Sequence, residues 1–182
     1  MDLSAARLNT DKMHVLDQNG WHCRFCGQVL TTEPRAHGDS SIILSVLIPV
    51  HNEGDQIAEN LSLIHAEASK AGLPMEMIAI DDGSTDKTWP VLQSMVEHLA
   101  GLKAVRFSRN FGKEAAICAG LAYSSGQACI VIDSDLQHPP GLIPEMVRLW
   151  SEEHWDVVEG IKKTRGTEPV INRIGARFFI GR

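Results

Sequence analysis

Between Ile42 and Glu159, five apolar runs of strand length alternate with four stretches of helical period. The runs are Ile42–Pro49, Met75–Ile80, Leu102–Phe107, Ala128–Ile132 and Trp155–Glu159. The stretches between them are Asp55–Ala71, Asp86–Leu99, Lys113–Ser124 and Gly141–Glu152. In the first, Ile57, Leu61, Ile64 and Ala68 share a helical face, and Gly72 follows as a stop. In the second the face is Trp89, Leu92, Val96 and Leu99; in the fourth it is Leu142, Met146 and Leu149. The third is rich in Ala, which lets a helix lie close on a sheet. Pro169–Ile180 reads as the start of another helix. Such alternation builds β-α-β units and a mostly parallel sheet. Right-handed crossovers then bring every strand's carboxyl end to one edge, where open α/β sheets bind ligands.

Residues 1–40 do not share this pattern. They are rich in Asp, Asn, Thr, Arg and His and are expected to form a poorly structured N-terminal extension, with the domain running over 41–182. Apolar residues make up 43% and charged residues 22% of the chain, which suits a packed core and excludes a largely disordered polymer. The net charge of −6 excludes a general attraction for nucleic acid, so a polyanion needs a local or metal-assisted site. Ile42–Val50, interrupted by Ser45 and Pro49, is too short to cross a bilayer, and Met1–Gly20 is too polar for a secretory leader. Cys118 and Cys129 sit in apolar surroundings and are expected to be small buried hydrophobes, as befits a reducing cytoplasm.

The strand ends carry the chemistry. Glu53 follows the first strand, Asp81 and Asp82 the second, and Asp133 and Asp135 the fourth. Five carboxylates on one edge repel one another and persist only if solvated, paired or bound to a cation. Asp133-x-Asp135 lies just past a strand, where residues i and i+2 can aim at one point. Oxygen-only ligation suits Mg²⁺ or Mn²⁺, whose open positions substrate phosphates fill, and Gln137 adds a neutral oxygen. Against this stands the plainer role of capping the turn before Pro139-Pro140. Asp82 could accept hydrogen bonds from a base or ribose, or serve the Asp81-Asp82-Gly83-Ser84 turn. Arg109 and Lys113, where a helix opens, could hold phosphate or neutralise the acidic edge.

Five ordered blocks resemble the family 2 glycosyltransferases of GT-A fold. They are Ser45–Glu53 (SVLIPVHNE), Ile80–Asp86 (IDDGSTD), Ser108–Ala115 (SRNFGKEA), Val131–Pro140 (VIDSDLQHPP) and Asp156–Gly160 (DVVEG). The third and fourth blocks favour the branch that glycosylates polyprenyl or dolichyl phosphate. The resemblance spans about residues 42–182 and implies a Rossmann-like α/β/α sandwich with a mostly parallel sheet, incomplete at its C-terminus. It implies inverting, metal-dependent transfer from a UDP- or GDP-sugar to a polyprenyl phosphate. Pro49, His51, Glu53, Ile80 and Asp82 would line the nucleoside pocket, with Ser134 and Gln137 beside the diphosphate. Asp133, Asp135 and Gln137 would hold the ion. Members often carry Tyr where this chain has His51. After the last strand the branch usually reads Gly-x-Arg to bind the acceptor phosphate; here it is Gly160-Ile161-Lys162, with Arg173 behind it. Lys162 keeps the charge without the bidentate fork.

A phosphate acceptor is largely ionised at neutral pH, its second pKa being about 6, so transfer to it needs no general base. The branch implies a peripheral position at the cytoplasmic membrane face. The number of subunits stays open, a homo-oligomer included. Rival readings are a family 2 enzyme with a sugar-hydroxyl acceptor, and an inactive nucleotide-sugar-binding remnant. Cys23 and Cys26, in Cys-x-x-Cys-Gly, resemble one knuckle of a zinc ribbon whose second ligand pair is missing. They read either as a Zn²⁺ half-site or as an incidental thiol pair.

Overall fold

The computed structural model describes residues 13–17, 20–23 and 43–160. Its sheet contains β1 (Met13–Asp17), β2 (Gly20–Cys23), β3 (Leu44–Val50), β4 (Met75–Asp81), β5 (Leu102–Phe107) and β6 (Ala128–Val131). Four helices connect or follow the strands: α1 (Gln56–Ser69), α2 (Thr88–His98), α3 (Lys113–Tyr123) and α4 (Ile143–Glu153). The strand order is β2-β1-β5-β4-β3-β6. β5, β4, β3 and β6 are mutually parallel, and β1 runs antiparallel to both β5 and β2.

Alternation along each strand splits the core into two layers. Leu44, Val46, Ile48 and Val50 of β3, with Met77 and Ala79 of β4, face α1, α2 and α4. Leu47, Ile78, Ile80, Val105 and Phe107 face α3. Ile57, Leu61, Ile64 and Ala68 are all buried, as the period of α1 predicts. Ala116, Ala119 and Gly120 turn α3 onto the sheet so closely that a Cβ on Gly120 would lie 3.0 Å from Ile80 Cδ1. Small residues at this seam therefore decide how near the helix can come.

At the amino end of the sheet, Glu76 is 3% exposed on β4. Its Oε1 accepts from Ser45 Oγ at 2.6 Å and from the Ser125 N–H, and Lys103 Nζ lies 2.6 Å from Oε2. Each carboxylate oxygen is thus satisfied, which is the condition for burying a charge. The cluster ties β3, β4, β5 and the α3–β6 turn together far from the strands' carboxyl ends.

The described residues of the N-terminal stretch, 13–17 and 20–23, form the β1–β2 hairpin, and β1 pairs with the edge of β5 from Met13↔Phe107 to Leu16↔Ala104. Three expectations are corrected. Trp155–Glu159 forms no strand: Trp155 and Val157 are exposed, and Gly160 alone makes a bridge. α4 ends at His154 in the left-handed region (φ 59°), and the segment beyond it lacks a ladder partner among the described residues. A 3₁₀ turn at Pro140–Leu142 delays α4, so Ile143, Met146 and Val147 face inward and Leu142 is exposed. Cys118 is exposed, since it falls on the face of α3 opposite Ala116 and Ala119. The helix expected at 169–180 lies outside the described residues.

Candidate functional site

β3 and β4 end level with one another, with Val50 opposite Asp81, and β6 stops three residues earlier, with Val131 opposite Leu47. The residues following these ends, together with the loop before α3, enclose an open cleft of about 330 Å³. Pro49, Val50, His51, Glu53, Asp82, Asn110, Gly112, Lys113, Asp133, Ser134 and Asp135 line it.

Hydrogen bonds between loops hold the cleft in shape. His51 Nδ1 donates to the Asp82 carbonyl at 2.8 Å, so Nε2 is the acceptor for the Asn52 and Asn110 side-chain amides at 3.0 and 3.2 Å. The Thr85 N–H donates to Asn52 Oδ1 at 2.9 Å, which fixes which end of that amide faces the ring. Both ring nitrogens of His51 are therefore occupied, and the face of the imidazole is what remains for a ligand. The hydroxyl of buried Thr88 accepts from the Glu53 and Gly54 N–H groups, each at 2.9 Å. Ser134 Oγ donates to Glu53 Oε1 at 3.0 Å, and Asn60 Nδ2 donates to the Ser134 carbonyl at 2.7 Å. These bonds link the β3 end to the β6 end.

The carboxylates divide by environment. Asp81 is fully buried: Oδ1 accepts from the Ser84 N–H at 2.9 Å, and Arg106 Nε lies 3.2 Å from Oδ2, out of line for a hydrogen bond. The Arg106 guanidinium also sits 5.2 Å over the Trp89 ring, so Asp81 is spent on packing and does not join the cleft. Asp82 is 4% exposed and accepts from the Phe111 and Gly112 N–H groups at 2.7 and 2.9 Å. It both borders the cleft and pins the loop before α3. Gly83 makes this approach possible. Its φ is +66°, and a Cβ there would lie 2.2 Å from the Arg109 carbonyl carbon.

Asp133 Oδ1 lies 2.5 Å from Lys113 Nζ, and Oδ2 lies 3.7 Å from His138 Nδ1, a buried atom without a hydrogen-bond partner among the described residues. Asp135 is exposed, and among the described residues its Oδ1 accepts only from the Gln137 N–H at 3.0 Å, closing a local turn. Among the described residues no three His, Cys, Asp or Glu side chains converge as a metal cage. Two carboxylates in an open cleft still fit a hard divalent ion that completes its shell with water and ligand oxygens, the habit of Mg²⁺ and Mn²⁺.

Seven residues expected from the sequence therefore meet in one cleft: Pro49, His51, Glu53, Asp82, Asp133, Ser134 and Asp135. Two go elsewhere. Ile80 is fully buried under α3, because its position on β4 points to the opposite layer. Gln137 is exposed outside the cleft lining and meets Asp135 through its backbone. Lys162, Arg173 and Cys26 lie outside the described residues, and Cys23 closes β2. Asn110 and Gly112 join the lining, although the Asn-Phe-Gly-Lys block was the only signal for them. Of the two cations in Ser108–Ala115, Lys113 pairs with the acidic edge, while Arg109 lies 4.4 Å over the exposed Phe111 ring.

The family model of Glycosyl transferase family 2 matches residues 45–178. An uncharacterized glycosyltransferase of Synechocystis is 38% identical over 139 residues, covering 76% of this chain and 43% of its own length. The undecaprenyl-phosphate 4-deoxy-4-formamido-L-arabinose transferase of Edwardsiella ictaluri is 36% identical over 123 residues, 67% of this chain and 38% of that enzyme. This chain thus spans less than half the length of either relative. Among solved structures, the mannosyltransferase PcManGT of Pyrobaculum calidifontis, in complex with GDP-Man and Mn²⁺, aligns with a TM-score of 0.58 at 22% identity. The alignment covers 72% of this chain and 37% of that one. TarS of S. aureus aligns with a TM-score of 0.55 at 22% identity, over 70% and 38% of the two chains. At this identity the likeness shows the fold, an α/β sheet of GT-A type. Because the family match runs through every strand end that builds the cleft, the chain belongs to glycosyltransferase family 2.

Proposed function

We propose that this domain takes a nucleotide-sugar donor in the acidic cleft and transfers its sugar, with inversion and with a divalent ion, to a polyprenyl phosphate. The observation that carries this reading is the gathering of Glu53, Asp82, Asp133 and Asp135 around one open cleft at the carboxyl ends of parallel strands. Four carboxylates against one ammonium repel a free diphosphate, so the cleft suits that ligand only together with a cation. Asp133 and Asp135 would hold the Mg²⁺ or Mn²⁺, which when bound supplies Lewis-acid stabilisation of the leaving diphosphate. His51, with both nitrogens engaged, offers its ring face to a base. Pro49 also lines the cleft, and Asp82 holds the Phe111–Gly112 backbone in place.

An ionised phosphate is already a nucleophile, so no side chain needs to remove a proton from it. The transferase of Edwardsiella ictaluri, named for undecaprenyl phosphate, supports this acceptor class, and the GDP-Man and Mn²⁺ complex of PcManGT supports the donor and ion. Lys162 and Arg173 are proposed to meet the acceptor phosphate. No helix among the described residues is long and apolar enough to cross a membrane. A polyprenyl acceptor would be met at a membrane surface.

Calorimetric titration with UDP- and GDP-sugars, with and without Mn²⁺, tests the reading. Heat that depends on Mn²⁺ is expected for one of the two bases; its absence for both would sink the proposal. Asp135→Ala should abolish Mn²⁺-dependent binding and transfer to a polyprenyl phosphate while leaving the circular dichroism spectrum unchanged.

A further inference from the structure

Lys113 is the single Lys or Arg lining the cleft among the described residues, and its ammonium lies 2.5 Å from Asp133 Oδ1. The other oxygen of Asp133 faces His138 Nδ1 at 3.7 Å. Neither oxygen of this carboxylate is therefore free of a neighbour. Oδ1 becomes available to a metal ion only when Lys113 moves aside. The side chain can move, because it is 49% exposed and stands at the first residue of α3, whose packing relies on Ala116, Ala119 and Gly120.

Charge balance gives the displaced ammonium a destination. Glu53, Asp82, Asp133 and Asp135 leave the cleft lining three negative charges in excess once Lys113 is counted. The nucleoside diphosphate that leaves after transfer carries about three further negative charges near neutral pH, of which one divalent ion offsets two. The remaining charge needs a local cation, and Lys113 is within the same cleft.

We propose that Lys113 is the diphosphate-gripping residue of this site, and that it guards Asp133 until ion and diphosphate arrive together. This rests on the donor reading above. The exchange makes metal and nucleotide binding cooperative: the ion alone competes with Lys113, whereas with the diphosphate present the ammonium gains a new anionic partner as it gives up the old one.

The test uses the full chain and its Lys113→Gln and Lys113→Arg variants, titrated with MnCl₂ alone, with UDP and GDP at fixed Mn²⁺, and with uridine and guanosine. Lys113→Gln should bind Mn²⁺ alone about two- to fivefold more tightly, as expected for removing a half-exposed ion pair. It should bind the diphosphate with Mn²⁺ on the order of tenfold more weakly, as expected for losing a charge-assisted hydrogen bond. Nucleoside binding should not change, and Lys113→Arg should retain diphosphate affinity. Unchanged diphosphate affinity in Lys113→Gln overturns the proposal, because a mere counter-ion to Asp133 would alter Mn²⁺ binding only. Unchanged or weaker binding of Mn²⁺ alone overturns it too. Failure of the unaltered chain to bind Mn²⁺ with either diphosphate overturns the donor reading, and this inference with it.

Discussion

Two carboxylates that border the same cleft should respond to the same substitution in opposite ways. Asp82 is 4% exposed and accepts hydrogen bonds from two backbone N–H groups, at 2.7 Å from Phe111 and 2.9 Å from Gly112. Asp82→Asn keeps one oxygen and turns an NH₂ toward the second N–H, so one bond is lost and two donors face each other. A hydrogen bond to a charged group contributes about 1.5–3 kcal/mol, so the expected loss of stability is about 2–3 kcal/mol. For a domain of this size that lowers Tm by about 5–10 °C. Asp135 is exposed, and its one bond, from the Gln137 N–H, is a local turn that an Asn oxygen accepts equally well. Asp135→Asn should therefore stay within about 0.5 kcal/mol of the unaltered protein. Urea unfolding of both variants, followed by circular dichroism, measures the contrast. Nucleotide titration should then show weaker binding in both. In Asp82→Asn the cause is the loosened loop carrying Asn110, Gly112 and Lys113; in Asp135→Asn it is a weaker ion site. Equal urea midpoints for the two variants would refute the division of these carboxylates into a structural pin and a free ligand.

Other outcomes follow from single contacts. Gly83→Ala places a methyl 2.2 Å from the Arg109 carbonyl carbon at a φ of +66°, so it should destabilise by about 2 kcal/mol or more and weaken nucleotide binding. The urea midpoint checks it. Burial raises the pKa of the Cys129 thiol and outweighs the opposing pull of its hydrogen bond to Ser124, with a lesser upward push from Glu76, whereas Cys118 is exposed. The thiolate is the reactive form, so at about pH 8 iodoacetamide should label Cys118 well before Cys129, and the gap should narrow towards about pH 10. Peptide mapping by mass spectrometry resolves the two sites.

Much of this molecule is legible before any coordinates exist, because period and punctuation are local properties. The spacing of Ile57, Leu61, Ile64 and Ala68 specifies the buried face of α1, and the runs around β3, β4 and β5 are long enough to be strands in any context. The acids after β3, β4 and β6 must lie together once the sheet is parallel, since crossovers put like ends on one edge. Partner choice is not local. Asp81 and Asp82 are neighbours in the chain, yet one is buried against Arg106 and the other faces the cleft while pinning the loop before α3, because adjacent residues at a strand end point opposite ways. The same alternation turned Ile80 into the α3 layer. β1 and β2 have weak patterns of their own and form where β1 pairs with the edge of β5 and β2 with β1, while Trp155–Glu159 has a strand-like composition and joins no ladder among the described residues. Lys113 could have served phosphate or carboxylate by its place in the sequence. Only the seating of α3 on β3 and β4, which the small residues Ala116, Ala119 and Gly120 permit, set its ammonium against Asp133.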